Sequence, residues 1–307
     1  MLLDRLVRMP QISQWRDWAG LSIDAILKVT DGKAMCELFA MSCSKPSAVT
    51  YSLHEFARHG GLTYHNKSGW GIAYFEDRDA LVIKEAEPAS DSPWVDFIAD
   101  QGITSHCVIA HVRLASVGEP ALQNTHPFRR ALGRHVHVFA HNGTLQELAE
   151  RYPPNRLEPM PVGDTDSELA FTLLLERLQP LWGDGARIPD VADRLGIFAA
   201  FAKEMAVLGT ANFLYSDGDA LFVYASKRVY EENGSFSEPR APGLSMRNCV
   251  TCQQGPEWRV EGCHIRMSDQ RTILFASVPL DETGWVPIPE GTAIAVRRGE
   301  EAGRITG

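Results

Sequence analysis

A thiol that shares its residue with a free α-amine is a nucleophile and a base in one, and Cys36 is placed to become one. It follows Met35 directly and heads the apolar, strand-like run Glu37-Leu38-Phe39-Ala40. A start at Met35, or a cut at the Met35–Cys36 bond, would give it an amine with a pKa of about 7.7–8.0. Such an amine can take the thiol proton near neutral pH without help from a histidine. Three further groups suit the same chemistry. His141-Asn142-Gly143 follows a strand at 136–140 and opens a polar turn. The Asn142 amide and the Gly143 N–H could both donate to the oxygen of a carbonyl under attack, although the pair also reads as a plain Asn-Gly turn. Arg113 ends an apolar strand and could hold a carboxylate by two parallel hydrogen bonds, or make a structural ion pair. Asp166 precedes an apolar helix, where it could cap the helix or hold an ammonium. Together Arg113 and Asp166 would suit an α-amino acid.

These groups need elements to position them. Apolar spacing predicts a helix over 47–59, closed by Gly60-Gly61. Strands are expected at 71–75 and 80–84, joined by the polar turn 76–79. More are expected at 106–114, 136–140, 212–215, 221–225, 272–278 and 292–297. Helices are expected at 169–178, entered through the cap-rich Asp164-Thr165-Asp166-Ser167-Glu168, and at 191–207. Residues 231–256, rich in Gly, Pro, Ser and Asn, read as a loop. Strands arrive in clusters with helices between them, which fits stacked sheets covered by helices better than a doubly wound parallel sheet. Residues 1–35 have a different texture, broken by Pro10, Gly20 and Gly32. They are expected to be an N-terminal extension, through a start assigned too far upstream or a propeptide removed before Cys36.

Composition excludes several classes. The chain has 307 residues, 44% hydrophobic and 22% charged, with a formal net charge of −9, so no basic surface points to nucleic acid. Six cysteines spread over this length read as reduced thiols in a cytoplasmic protein. No window approaches the roughly 18 consecutive apolar residues of a membrane span. The first ten residues build no signal-peptide core. Cys249 and Cys252 with Cys263-His264 could offer donors to zinc, but the second pair lacks the usual spacing, and no cofactor is expected. Cys43 and Cys107 lie in apolar runs and read as core residues. Among the histidines at 111, 126, 135, 137 and 141, strand alternation places 135, 137 and 141 on one face, for packing rather than for metal.

The order Cys36, Arg113, His141-Asn142-Gly143, Asp164-Thr165-Asp166-Ser167-Glu168 resembles the class II glutamine amidotransferase family, whose glutaminase domains are N-terminal-nucleophile hydrolases. The resemblance is carried also by Gly69-Trp70-Gly71, by His111 to Gly118 and by Asn124-Thr125-His126-Pro127-Phe128. It continues more loosely through Ala276-Ser277-Val278-Pro279-Leu280, and it looks most like the stand-alone, YafJ-like type. It implies an α+β fold, the four-layer αββα sandwich, over residues 36–307. It implies Cys36 as the nucleophile that forms a thioester on glutamine or a γ-glutamyl compound, with Asn142 and Gly143 as the oxyanion hole. Arg113 would bind the substrate α-carboxylate and Asp166 its α-amine. An acceptor or a synthase partner protein would take any ammonia transferred. The segment Leu114-Ala115-Ser116-Val117 departs from the Trp-Ala-Thr-His of sugar-phosphate-forming relatives: Ser116 could supply the hydroxyl, whereas Val117 cannot supply an imidazole. The alternative is a non-catalytic γ-glutamyl or amino-acid binding module in which Cys36 is never freed.

Overall fold

The computed structural model describes residues 36–49, 67–114, 118–232, 235–250, 257–260, 263–266, 270–280 and 284–307. The 1–35 extension, residues 115–117 and all but the first turn of the helix expected over 47–59 lie outside them. The strands are β1 (Glu37–Ala48), β2 (Trp70–Glu76), β3 (Asp79–Glu85), β4 (Thr104–Val112), β5 (Phe128–Leu132), β6 (His135–Leu145), β7 (Gly209–Ser216), β8 (Leu221–Ala225), β9 (Glu231–Glu232), β10 (Ser235–Phe236), β11 (Ser245–Val250), β12 (Glu257–Val260), β13 (Cys263–Arg266), β14 (Arg271–Ala276), β15 (Val286–Pro287), β16 (Thr292–Arg297) and β17 (Glu300–Ile305). The helices are α1 (Pro93–Gln101), α2 (Leu148–Arg151), α3 (Asp166–Trp182) and α4 (Val191–Leu208).

Two antiparallel sheets carry the fold. One has the order β15-β11-β14-β1-β4-β2-β3 and the other β17-β16-β8-β7-β6-β5. The period-two alternation of side chains decides how they stack. In β1, Leu38 and Ala40 point into the space between the sheets, where they meet Val138, Ala140, Val223 and Ile294. Phe39 and Met41 point the other way and pack with Val95 and Ile98 of α1. In β6 the second face carries Phe139, stacked on Phe171 of α3 with ring centroids 5.3 Å apart. That face, with α3 and α4, forms the largest apolar cluster. The layers run helix, sheet, sheet, helices, which is the expected αββα sandwich.

The helices begin where capping chemistry permits. Ser92 accepts from Trp94 N at the start of α1, ahead of Pro93, and Asp190 accepts from Ala192 N at the start of α4. Thr165 caps α3 by accepting from Glu168 N at 3.2 Å. A closed capping box would send the Glu168 carboxylate back to the cap N–H. Instead it receives the N–H groups of Val162 (3.0 Å) and Gly163 (2.6 Å), fastening the loop before the helix.

Three expectations need correction. The polar turn expected at His141-Asn142-Gly143 is strand, because β6 runs on to Leu145 with Asn142 paired to Asn212 and Gly143 to Ala211 of β7. Ser47 and Ala48 close β1 and do not open a helix. The loop expected over 231–256 contains β11, which becomes a strand by pairing along the whole of β14. In each case a partner strand overrides local propensity.

One polar group is buried for structural reasons. Arg194 on α4 is 1% exposed and donates to Asp217 (2.6 Å) and Asp219 (2.7 Å), and Asp219 also pairs with Arg297 (2.7 Å). Burial pulls the Arg194 pKa down, but the two carboxylates more than offset it and leave it raised. Arg194→Met would leave the buried Asp217 without its cation and Asp219 with Arg297 alone, and a loss of about 3–5 kcal/mol is expected in urea unfolding. A loss below about 1 kcal/mol would show that the network carries no net stability.

Candidate active site

Cys36 sits immediately ahead of β1, and β1 is held on both edges. Leu38 is in register with His111 of β4. On the other side Leu38 N donates to Ser277 Oγ (2.9 Å), while Ser277 N donates to Leu38 O (3.0 Å). The strand therefore fixes where the thiol points. Sγ donates to Leu114 O at 3.2 Å and accepts from Leu114 N at 3.3 Å. Burial pushes the Cys36 pKa up to about 11; the Leu114 contact and Arg113 pull it down, and Asp166 and Glu37 push it further up. At pH 7 the thiolate of the uncleaved chain is then roughly one part in 10⁴.

The second sheet reaches this thiol through β6. Asn142 Nδ2 donates to the carbonyl oxygen of Cys36 at 2.5 Å, one hydrogen bond across the space between the sheets. Asn142 is itself held from behind: its own carbonyl accepts from Asn212 Nδ2 (3.1 Å), and Asn212 Oδ1 accepts from Ser226 N (2.8 Å). Gly143 has φ +154°, and a Cβ there would lie 1.8 Å from Thr210 O. The close approach of β7 thus requires glycine beside the asparagine.

Arg113 and Asp166 frame the same place. Arg113 is 3% exposed, and its guanidinium donates to the carbonyls of Ser68 (3.3 Å), Gly118 (2.9 Å) and Glu119 (3.3 Å). Burial lowers its pKa, against the opposing charges of Cys36, Asp166 and Glu119. Asp166 is the first residue of α3, where the helix dipole favours a carboxylate. Its Oδ2 accepts from Leu145 N at 2.6 Å and its Oδ1 from Ser167 N at 2.9 Å. It is therefore fastened to β6 two residues beyond Gly143. A carboxylate has about four lone-pair positions, so it keeps acceptor capacity for an ammonium. The arrangement can hold an attacking sulfur, two oxyanion donors and the charged groups of an amino-acid head.

The loops that carry Arg113 and Asp166 are joined by Asn124, which is 1% exposed. Its Nδ2 donates to Glu119 O (3.1 Å) and its Oδ1 accepts from Asp164 N (2.9 Å). Asn124 lies in a stretch singled out in the sequence, but without a role. Asn212 and the Leu114 backbone were missed altogether, since neither carries a local signal.

The histidines divide. His137 and His141 face the helices, and His141 has partners in Ser167 Oγ (2.9 Å) and Thr210 O (3.0 Å). His111 and His126 lie against each other with ring centroids 4.2 Å apart and planes tilted by 37°, and none of their four ring nitrogens has a partner among the described residues. Burial pulls His111 down to about 3 and His126 well below its ordinary value, so both are neutral. Among the described residues no group of three or more His, Cys, Asp and Glu could hold a metal, and no helix is long and apolar enough to cross a membrane.

Residues 35–306 match the family model described as glutamine amidotransferases class-II. A Haemophilus influenzae protein carrying the name "Putative glutamine amidotransferase" is 36% identical over 277 residues, 90% of this chain and 88% of its own length. The Escherichia coli protein named "Putative glutamine amidotransferase YafJ" is 36% identical over 197 residues, 64% of this chain and 75% of its own. Among solved structures, that of a "predicted glutamine amidotransferase" from Pseudomonas aeruginosa superposes with a TM-score of 0.62 at 28% identity, covering 87% of this chain and 100% of that one.

Proposed function

This chain belongs to the class II glutamine amidotransferase family, and on that premise we propose that it cleaves the γ-amide of glutamine or of a γ-glutamyl compound through a thioester on Cys36. The sulfur attacks the amide carbon. The α-amine of the same residue takes the thiol proton and returns a proton to the departing ammonia or amine, and water then hydrolyses the thioester. Asn142 Nδ2 and the Gly143 N–H donate to the oxyanion, Arg113 holds the α-carboxylate and Asp166 the α-ammonium. The observation that carries this reading is the hydrogen bond from Asn142 to the Cys36 carbonyl, which brings donor and nucleophile together from different sheets. If ammonia is transferred and not released, an acceptor, or a partner protein with synthase activity, must receive it.

The mechanism needs the Met35–Cys36 bond opened, because an amide nitrogen is no base. The test compares the full chain with protein beginning at Cys36 across glutamine and a panel of γ-glutamyl amides. Turnover is expected only from the Cys36-start form. Equal activity in both forms, or none in either, overturns the reading. Alkylation by iodoacetamide supplies the pH dependence. In the full chain the raised pKa means that labelling climbs only as pH approaches about 11. In the Cys36-start form the climb moves toward the amine range, about 8. The raised pKa also favours one second reading, a γ-glutamyl or amino-acid binding module. It would appear as binding without turnover even in the Cys36-start form.

A further inference from the structure

A cleft of about 560 Å³, lined in part by Pro127 and Phe128, uses none of the residues proposed to carry the reaction or to hold its substrate. Its size falls within the range of small-molecule sites, about 300–1,000 Å³. Lys84, Arg129 and Arg130 line it with one carboxylate, Glu168, and Arg129 is ion-paired with Asp79 outside the lining. That carboxylate is already committed to Arg130, Val162 N and Gly163 N. Lys84 Nζ donates to Thr125 O at 2.8 Å and lies 5.6 Å from the centre of the Phe128 ring. An ammonium has three donors, and among the described residues Lys84 makes no ion pair with a carboxylate. Burial draws its pKa down to about 8, against the opposing charge of Glu168 and with a further push from Arg130. The rim is of opposite character: Leu122 is 53% and Val162 74% exposed, both beside the buried Phe128. Large aliphatic side chains left in water around a cationic floor describe an amphiphilic ligand.

We propose that this cleft is a second binding site, for a small organic anion with an apolar body, in which Lys84 and Arg130 meet the anionic head and Leu122, Val162 and Phe128 cover the body. The anion can be a carboxylate or a phosphate ester, and two probes separate them.

Isothermal titration of the full chain with benzoate and with phenyl phosphate tests the site, with inorganic phosphate as the probe lacking an apolar body. At least one of the two aromatic anions should bind with one-to-one stoichiometry and more tightly than inorganic phosphate. Preference for benzoate assigns a carboxylate ligand, and preference for phenyl phosphate a phosphate ester. Lys84→Gln should weaken that binding at least tenfold. Leu122→Asp, a change at an exposed residue that the fold does not need, should do the same by placing a negative charge at the rim. Failure of both anions to bind, or binding undiminished in a folded Leu122→Asp variant, overturns the proposal. The outcome is independent of Cys36 chemistry: a chain inactive on every γ-glutamyl amide that still binds either anion keeps this site and loses the reaction.

Discussion

Cys36→Ala, introduced into the Cys36-start form, abolishes amide cleavage while the protein stays folded. The expected fall in kcat is about 10⁴–10⁶-fold, the scale seen when a covalent nucleophile is deleted. The fold survives because β1 is held by its backbone, through the β4 and β14 ladders and the two Leu38–Ser277 bonds. The side chain adds only its two sulfur contacts to Leu114, so the stability change should stay near 1 kcal/mol. Circular dichroism and thermal melting check that half of the statement; ammonia release checks the other. A diazoketone analogue of glutamine should label Cys36 alone. Burial pushes Cys43 up to about 11 and Cys107 up to about 12, leaving both protonated and shielded. Label on either, or turnover surviving Cys36→Ala, would move the nucleophile elsewhere.

Gly143→Ala should be among the more damaging methyl additions at the described glycines. Its Cβ would stand 1.8 Å from Thr210 O, 2.6 Å from Thr210 C and 2.7 Å from His141 Nε2. Two of those atoms are backbone of β7, so relief requires prying β6 and β7 apart. His141 is also held, by Ser167 and Thr210. Overpacking typically costs about 1–3 kcal/mol and occasionally more; with backbone as the obstacle about 4 kcal/mol is expected here, roughly 10 °C in melting temperature for a chain of this size. Activity should fall by more than stability explains, because the displaced strand carries the two proposed oxyanion donors and the Leu145 N–H that holds Asp166. A variant that melts within 2 °C of the parent would show that the strands slide apart without cost.

The candidate site residues were legible in the sequence to a different degree from the architecture around them. Cys36, Arg113 and Asp166 each stand at the edge of an apolar run, so local pattern exposes them, and the helices from Asp166 and Val191 follow from caps and periodicity. Asn142-Gly143 was visible as a motif but misplaced in a turn, since Asn-Gly favours turns and only β7 makes it strand. Ser245–Val250 hides in a Gly- and Pro-rich stretch for the same reason, its strand character coming from β14. Arg194 shows no local sign of being buried; its partners lie 23 and 25 positions away. Asn212 braces Asn142 from a strand 70 positions on. Long-range pairing decides these features, and a linear reading does not contain it.

The hydrogen bond between Leu38 N and Ser277 Oγ spans 239 positions, and this has a consequence for timing. A nascent chain cannot finish seating residue 36 until nearly all of the polypeptide has left the ribosome, and contacts of such separation form slowly. Were the bond before Cys36 opened early, the bare amino-thiol would stay open to oxidants throughout the rest of synthesis. A cut made late meets a residue already tucked against Leu114. Under the proposed chemistry, opening the bond before Cys36 would have to compete with the closing of this sheet.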